Sequence, residues 1–185
     1  MLQRHQLYSA AIFLFLSCSA YAQTQHTELI GGDIRFHGTV EALPCNVKPG
    51  GEKIGVDFKQ ISTKDLYANK KSSPVPFTIA LENCSNAVFK TVSVTFSGVE
   101  STELPDYLVI NPVSPGAASG VAIGLKEMNG SAIELNKPTT AENISRGSMN
   151  LSFQAWVEGT PTALQNKNMA LGPFTATANY TLTYQ

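Results

Sequence analysis

Histidine, cysteine and net charge are all scarce in this chain, and each shortage excludes something. There are three histidines. His5 falls within the expected N-terminal leader, and His26 and His37 lie ahead of the main body, so a histidine-based catalytic centre has little to be built from. No Gly-x-Ser-x-Gly, no His-Glu-x-x-His and no phosphate-cradling glycine loop is present. Glu100, Glu103 and Asp106 cluster on a turn between expected strands, where a solvated loop is a better reading than an acid–base pair. The formal charge of −1 gives no electrostatic case for nucleic acid. Past residue 16 no apolar run approaches membrane-spanning length, so no direct membrane anchor is expected. A sustained apolar period of 3.6 is also missing from the main body, which argues against a helical fold. No enzyme, no cofactor and no metal are expected.

The N-terminus reads as a targeting segment. Arg4 and His5 precede the apolar run Leu7 to Leu16, and Ala20-Tyr21-Ala22 offers a small-x-small cleavage site. Residues 1–22 are therefore assigned to a secretory signal peptide. Cys18 is a weak lipidation candidate, because Phe15-Leu16-Ser17 before it matches the required pattern poorly. Without the leader, 12 basic residues face 14 acidic ones, a formal charge of −2, and two cysteines remain, Cys45 and Cys84. In an exported chain these are most simply one disulfide, the alternative being a pair of buried free thiols. Without a histidine nearby in sequence they do not make a zinc site.

What the chain has in quantity is two-residue alternation. From Phe174 one row reads Phe174, Ala176, Ala178, Tyr180, Leu182, Tyr184, and the other Thr175, Thr177, Asn179, Thr181, Thr183. Successive strand side chains point to opposite faces, so one row is buried and the other wetted. The same pattern marks Ile54-Val56-Phe58, Phe77-Ile79-Leu81, Val92-Val94-Phe96, Val121-Ile123-Leu125 and Leu151-Phe153-Ala155-Val157. Tyr107 to Ile110 is a further short strand. Asn129-Gly130 is a hairpin turn leading into Ala132 to Leu135. Ser62 to Tyr67 predicts one short helical turn, and Gly159 to Asn168 a polar loop. Short strands with turn signals between them read as one antiparallel sandwich.

Near the N-terminus, Ile30, Gly32, Ile34 and Phe36 form an apolar row with a glycine notch. Taken alone this is a first strand with a bulge. Five Asn-x-Ser/Thr triplets begin at Asn83, Asn129, Asn143, Asn150 and Asn179 and are read as ordinary turn and strand residues. Trp156 alternates onto the polar face with Gln154 and Glu158. Three readings of it stay open: a sugar-stacking platform, a subunit contact, and a tryptophan covered by a loop.

Taken together, the chain resembles the pilin subunits of chaperone–usher fimbriae, on the type 1 side of that family. The residues that carry this are the arm Gly31-Gly32-Asp33-Ile34-Arg35-Phe36-His37-Gly38-Thr39-Val40, then Cys45, Cys84, Phe153-Gln154-Ala155 and the tail. In that family a glycine stands fourteen residues from the end and a tyrosine second from last, places held here by Gly172 and Tyr184. The resemblance implies an incomplete immunoglobulin-like β-sandwich, completed by a donor strand from a neighbouring subunit or a chaperone. It implies a donor arm over residues 23–38, carrying Ile30, Gly32, Ile34 and Phe36, and a pilin domain over 39–185. It implies that Gly172, Phe174, Ala176, Ala178, Tyr180, Leu182, Tyr184 and Gln185 border a groove that meets the chaperone, the usher or the next arm. The implied partners are neighbouring pilin subunits, a periplasmic chaperone and an outer-membrane usher, and the implied destination is the cell surface. A tip adhesin of the family carries an extra lectin domain and no arm, so a shaft or adaptor subunit is expected. Outside the family, the alternative is a self-contained secreted carbohydrate-binding sandwich, in which the arm is an ordinary first strand.

Overall fold

The computed structural model describes residues 33–39, 43–112 and 115–185. The expected leader, and Ile30 and Gly32 of the expected donor row, lie outside them. By contacts the chain divides into two units, Met1–Val40 and Glu41–Gln185. In the first, residues 33–39 have no helix or strand and are exposed, Ile34 at 77% and Phe36 at 89%.

The second unit is built of short strands. In chain order it holds β1 (Asn46–Val47), α1 (Thr63–Asn69), β2 (Val75–Cys84), β3 (Thr91–Gly98) and β4 (Leu108–Val109). There follow β5 (Asn111–Pro112), β6 (Val121–Glu127), β7 (Glu142–Asn143), β8 (Gly147–Gly159), α2 (Pro161–Asn166), β9 (Phe174–Thr175) and β10 (Ala178–Tyr184). One sheet runs β1-β2-β8-β6-β4 and another β10-β3-β7, with β5 and β9 as a separate pair. Every pairing is antiparallel.

The core forms where the inward rows of the two sheets meet. Leu151, Phe153, Ala155 and Val157 of β8 lie beside Ile79 and Leu81 of β2 and face Val92, Val94 and Phe96 of β3, all buried. Phe96 meets Phe153 edge-on at 5.1 Å and Phe77 edge-on at 6.0 Å, the quadrupole-favoured arrangement for aromatic pairs. Burying each large side chain fully is worth about 1.5–3 kcal/mol.

The two cysteines are bonded. Cys45 precedes β1, Cys84 ends β2, and Asn46 and Val47 pair with Glu82 and Leu81, so the disulfide staples neighbouring strands of one sheet. Closing a loop with a sequence separation of 39 stabilises by about 4 kcal/mol in the chain-entropy model.

Four expectations need correction. The stretch 160–168 is not a plain loop: Thr160 caps α2 by accepting from Ala163 N, and Pro161 sits in the first turn, where its missing N–H costs nothing. Residues 54–58 alternate as expected but join no ladder among the described residues. The hairpin at Asn129-Gly130 forms but is short: its second arm pairs with β6 only from Ser131 to Ile133 before Asn136 and Thr139 bond to Phe96 and Val94 across on β3. The C-terminal run is two strands, broken at Ala176-Thr177, because β9 pairs with β5 and β10 with β3.

Candidate functional site: an open apolar cleft at the C-terminal edge

β10 follows β3 in unbroken register from Ala178↔Gly98 to Tyr184↔Val92. On its other side no strand among the described residues pairs with it. Its rows alternate as the sequence predicts, with Asn179, Thr181 and Thr183 exposed. The apolar row Ala178, Tyr180, Leu182 and Tyr184 is only half-buried. The equivalent row of β8 is 1–3% exposed. The row therefore lacks cover on the free side of β10.

That gap is a cleft of about 520 Å³. One wall is the run Gly172, Phe174, Ala176, Ala178 and Tyr180; the other is Ile54, Val56 and Phe58. The floor is Phe77, Phe96, Leu108, Ile123, Leu125 and Ala155, contributed by both sheets. The second wall is extended, with Ile54, Val56 and Phe58 half-buried and Gly55 and Asp57 exposed. From residue 52 to 61 it makes no backbone–backbone hydrogen bond among the described residues. Two extended segments therefore face each other across an apolar floor without bonding to one another.

Side chains cross the cleft at two places. The Tyr180 hydroxyl donates to the Gly51 carbonyl at 2.9 Å, and the rings of Phe58 and Phe174 lie 6.3 Å apart. On the rim, Lys59 Nζ bonds Asp57 at 2.6 Å and holds that carboxyl below its usual range. Burial raises the phenol pKa of both Tyr180 and Tyr184. Gly172 marks where the chain turns into the cleft. Its φ is 149° and an added Cβ would lie 2.0 Å from the Gly116 carbonyl oxygen, so this position excludes a side chain. At the other end the Gln185 carbonyl accepts from Lys90 N at 2.6 Å and Thr91 N at 2.8 Å, and Gln185 N donates to Thr91 O at 3.0 Å.

Of the residues expected at the groove, Gly172, Phe174, Ala176, Ala178 and Tyr180 line the cleft. Leu182 and Tyr184 continue the row and pack on the core, and Gln185 closes the strand. Ile34 and Phe36 belong to the other unit and are exposed. Sequence reasoning missed the opposite wall. The available signal was Ile54-Gly55-Val56-Asp57-Phe58, an alternating run with no hairpin turn to give it a partner.

Trp156 is covered, at 9% exposure. Its ring stands edge-on to Tyr107 at 5.6 Å and presses on Gly124, where an added Cβ would meet it at 2.4 Å. Its Nε1 donates to Glu158 Oε2 at 2.9 Å, and Lys126 Nζ lies 5.8 Å from the ring centroid. Of the three readings, the structure supports the covered tryptophan. Among the described residues no three His, Cys, Asp or Glu gather to hold a metal, and no helix is long and apolar enough to cross a membrane.

An antiparallel sandwich with one strand's worth of core left open defines a pilin-type immunoglobulin-like domain. The family profile described as "Fimbrial protein" matches residues 34–185, and the chain belongs to that family. It is 38% identical over 172 residues to the "Putative minor fimbrial subunit PmfF" of Proteus mirabilis, covering 93% of each chain. It is 35% identical over 185 residues to the "Fimbrial adapter PapK" of Escherichia coli, covering 96% of this chain and 98% of the relative. Among solved structures, a chaperone–usher pilus subunit matches with a TM-score of 0.64 at 27% identity, over 84% of this chain and 96% of its own. The protein is a structural subunit of a chaperone–usher fimbria at the bacterial cell surface, where it polymerises with other pilin subunits.

Proposed function

We propose that the cleft beside β10 is an acceptor site for one β-strand supplied by another chain. A periplasmic chaperone supplies it first. At the outer-membrane usher, the N-terminal arm of a neighbouring subunit replaces it. The arm of this chain, with Ile30, Gly32, Ile34 and Phe36 as its apolar row, is in turn the donor to the next subunit. The protein works as a polymer link and not as an enzyme. Having both an arm and a cleft suits a shaft or adaptor position.

The observation that carries this reading is the unpartnered edge of β10 above a half-buried apolar row. An added strand makes backbone hydrogen bonds along that edge and covers the floor. Strand addition to a sheet edge is an established mode of peptide recognition, and chaperone–pilin complementation is one of its known instances. Left uncovered, such an edge is an aggregation hazard, which accounts for a chaperone's being needed.

Gly32→Trp separates the donor role from a role within the domain. If the arm serves the neighbour, the variant forms its chaperone complex in normal yield but fails to polymerise when mixed with a second chaperone–subunit complex. Overpacking an ordered site costs about 1–3 kcal/mol, and here the cost falls on assembly alone. Normal polymer, or loss of the chaperone complex itself, contradicts the donor role.

A further inference from the structure

The second wall of the cleft poses a physical problem. From residue 52 to 61 it has no backbone–backbone hydrogen bond among the described residues to hold it, yet the cleft floor between it and β10 stays open. An apolar cleft with one loosely held wall should collapse, since closing it removes apolar surface from water. Something must keep the walls apart. Among the described residues two cross-cleft contacts span it. The contact at the Phe58 end is ring against ring at 6.3 Å, non-directional, and compatible with a range of separations. The contact at the other end is directional: the Tyr180 hydroxyl on β10 donates to the carbonyl of Gly51, immediately before the free wall, at 2.9 Å.

Gly51 is itself well placed as an anchor. Its N–H bonds the Lys48 carbonyl at 2.8 Å, and Lys48 N bonds the Ala80 carbonyl on β2 at 2.9 Å. The disulfide fixes the start of the same segment to the end of β2. The hydrogen bond thus joins β10 of one sheet to a turn fastened on the other. A rigid phenol ring lies between them. A strand seated between two walls needs them about two inter-strand spacings apart, roughly 9.6 Å. A tyrosine side chain extended towards a carbonyl, plus one hydrogen bond, is a strut of that order.

We propose that Tyr180 is a positioning residue for strand capture: through its bond to the Gly51 carbonyl it holds the cleft at the width of one strand while the chaperone's strand leaves and the next one enters. The inference rests on the acceptor reading above. It assigns Tyr180 a role that its place in the apolar row alone does not imply, because Ala178, Leu182 or a phenylalanine at 180 satisfies the row equally well. Preorganisation of this kind acts by sparing the ordering cost at binding, so its loss appears in the rate and affinity of capture.

The test compares the wild-type chain with Tyr180→Phe, which keeps the ring and removes the hydroxyl, and with Tyr67→Phe. Tyr67 hydroxyl accepts from Met169 N at 3.1 Å away from the cleft, so this second variant loses a comparable tyrosine hydrogen bond without touching the strut. Each is purified as its chaperone complex and mixed with a fluorescent peptide of residues 28–38, and the rate of peptide capture is followed beside the melting temperature of the filled complex. Tyr180→Phe is expected to slow capture about fivefold, the equivalent of one net hydrogen bond of about 1 kcal/mol. Tyr67→Phe is expected to lower the melting temperature and leave capture unchanged. Equal capture rates for wild type and Tyr180→Phe overturn the strut, and so does faster capture by Tyr180→Phe, which would make the bond a latch. Failure of the wild-type complex to take up either this peptide or the arm of a second chaperone–subunit complex counts against the acceptor reading itself, and the two failures are thereby told apart.

Discussion

Glu158 holds two aromatic residues with a single oxygen. Its Oε2 accepts from Tyr107 hydroxyl at 2.8 Å and from Trp156 Nε1 at 2.9 Å, tying the segment ahead of β4 to the outer face of β8. Glu158→Ala removes the shared acceptor, breaks both hydrogen bonds and is expected to destabilise the domain by about 2 kcal/mol. Trp156 is the sole tryptophan, so a red-shifted emission reports its loss of cover directly. The pair also sets an alkaline limit. Burial, and then the Glu158 hydrogen bond and charge, push the Tyr107 phenol well above its ordinary 10.0. A folded value above the unfolded one means the contribution is complete below pH 10 and is lost as pH climbs above it. A denaturation midpoint measured from pH 8 to 11 should fall less steeply in Glu158→Ala than in wild type. At this scale the sequence was only half legible. Alternation placed Trp156 on the outer face, but its cover comes from Tyr107, far away in the chain, and no local pattern carries that contact.

At the scale of elements, β10 was readable because its pattern is strict: every apolar residue from Ala178 to Tyr184 faces inward and every polar one outward. The wall at 54–58 shows the same period, yet alternation reports only which faces are apolar and says nothing about whether a ladder partner exists. Its role as a lip of the cleft therefore stayed hidden. α2 was hidden for another reason. Thr160-Pro161 is a good start signal, but the helix Pro161–Asn166 is too short to show a period. Removing Tyr180 to Gln185 takes away most of β10, three of its four inward residues and the Gln185–Thr91 bonds that close the strand. The truncated chain is expected to be lost from chaperone pull-downs of periplasmic extract. Recovery at wild-type yield would show that capture depends on another edge.

For the whole molecule, the central claim is that the domain is complete except for one strand, and that the strand comes from outside. The disulfide, the buried β2–β8–β6 sheet and the phenylalanine cluster hold the sandwich together; the open edge of β10 leaves it unfinished. Hydrogen exchange at the backbone amides of β10 tests this most directly, in chain refolded alone and in chain refolded with a peptide of residues 28–38. The outward-pointing amides of β10 should exchange quickly in the chain alone and become protected when the peptide is present, while those bonded to β3 change far less. Protection of all β10 amides without peptide, or no change on adding it, would contradict the account.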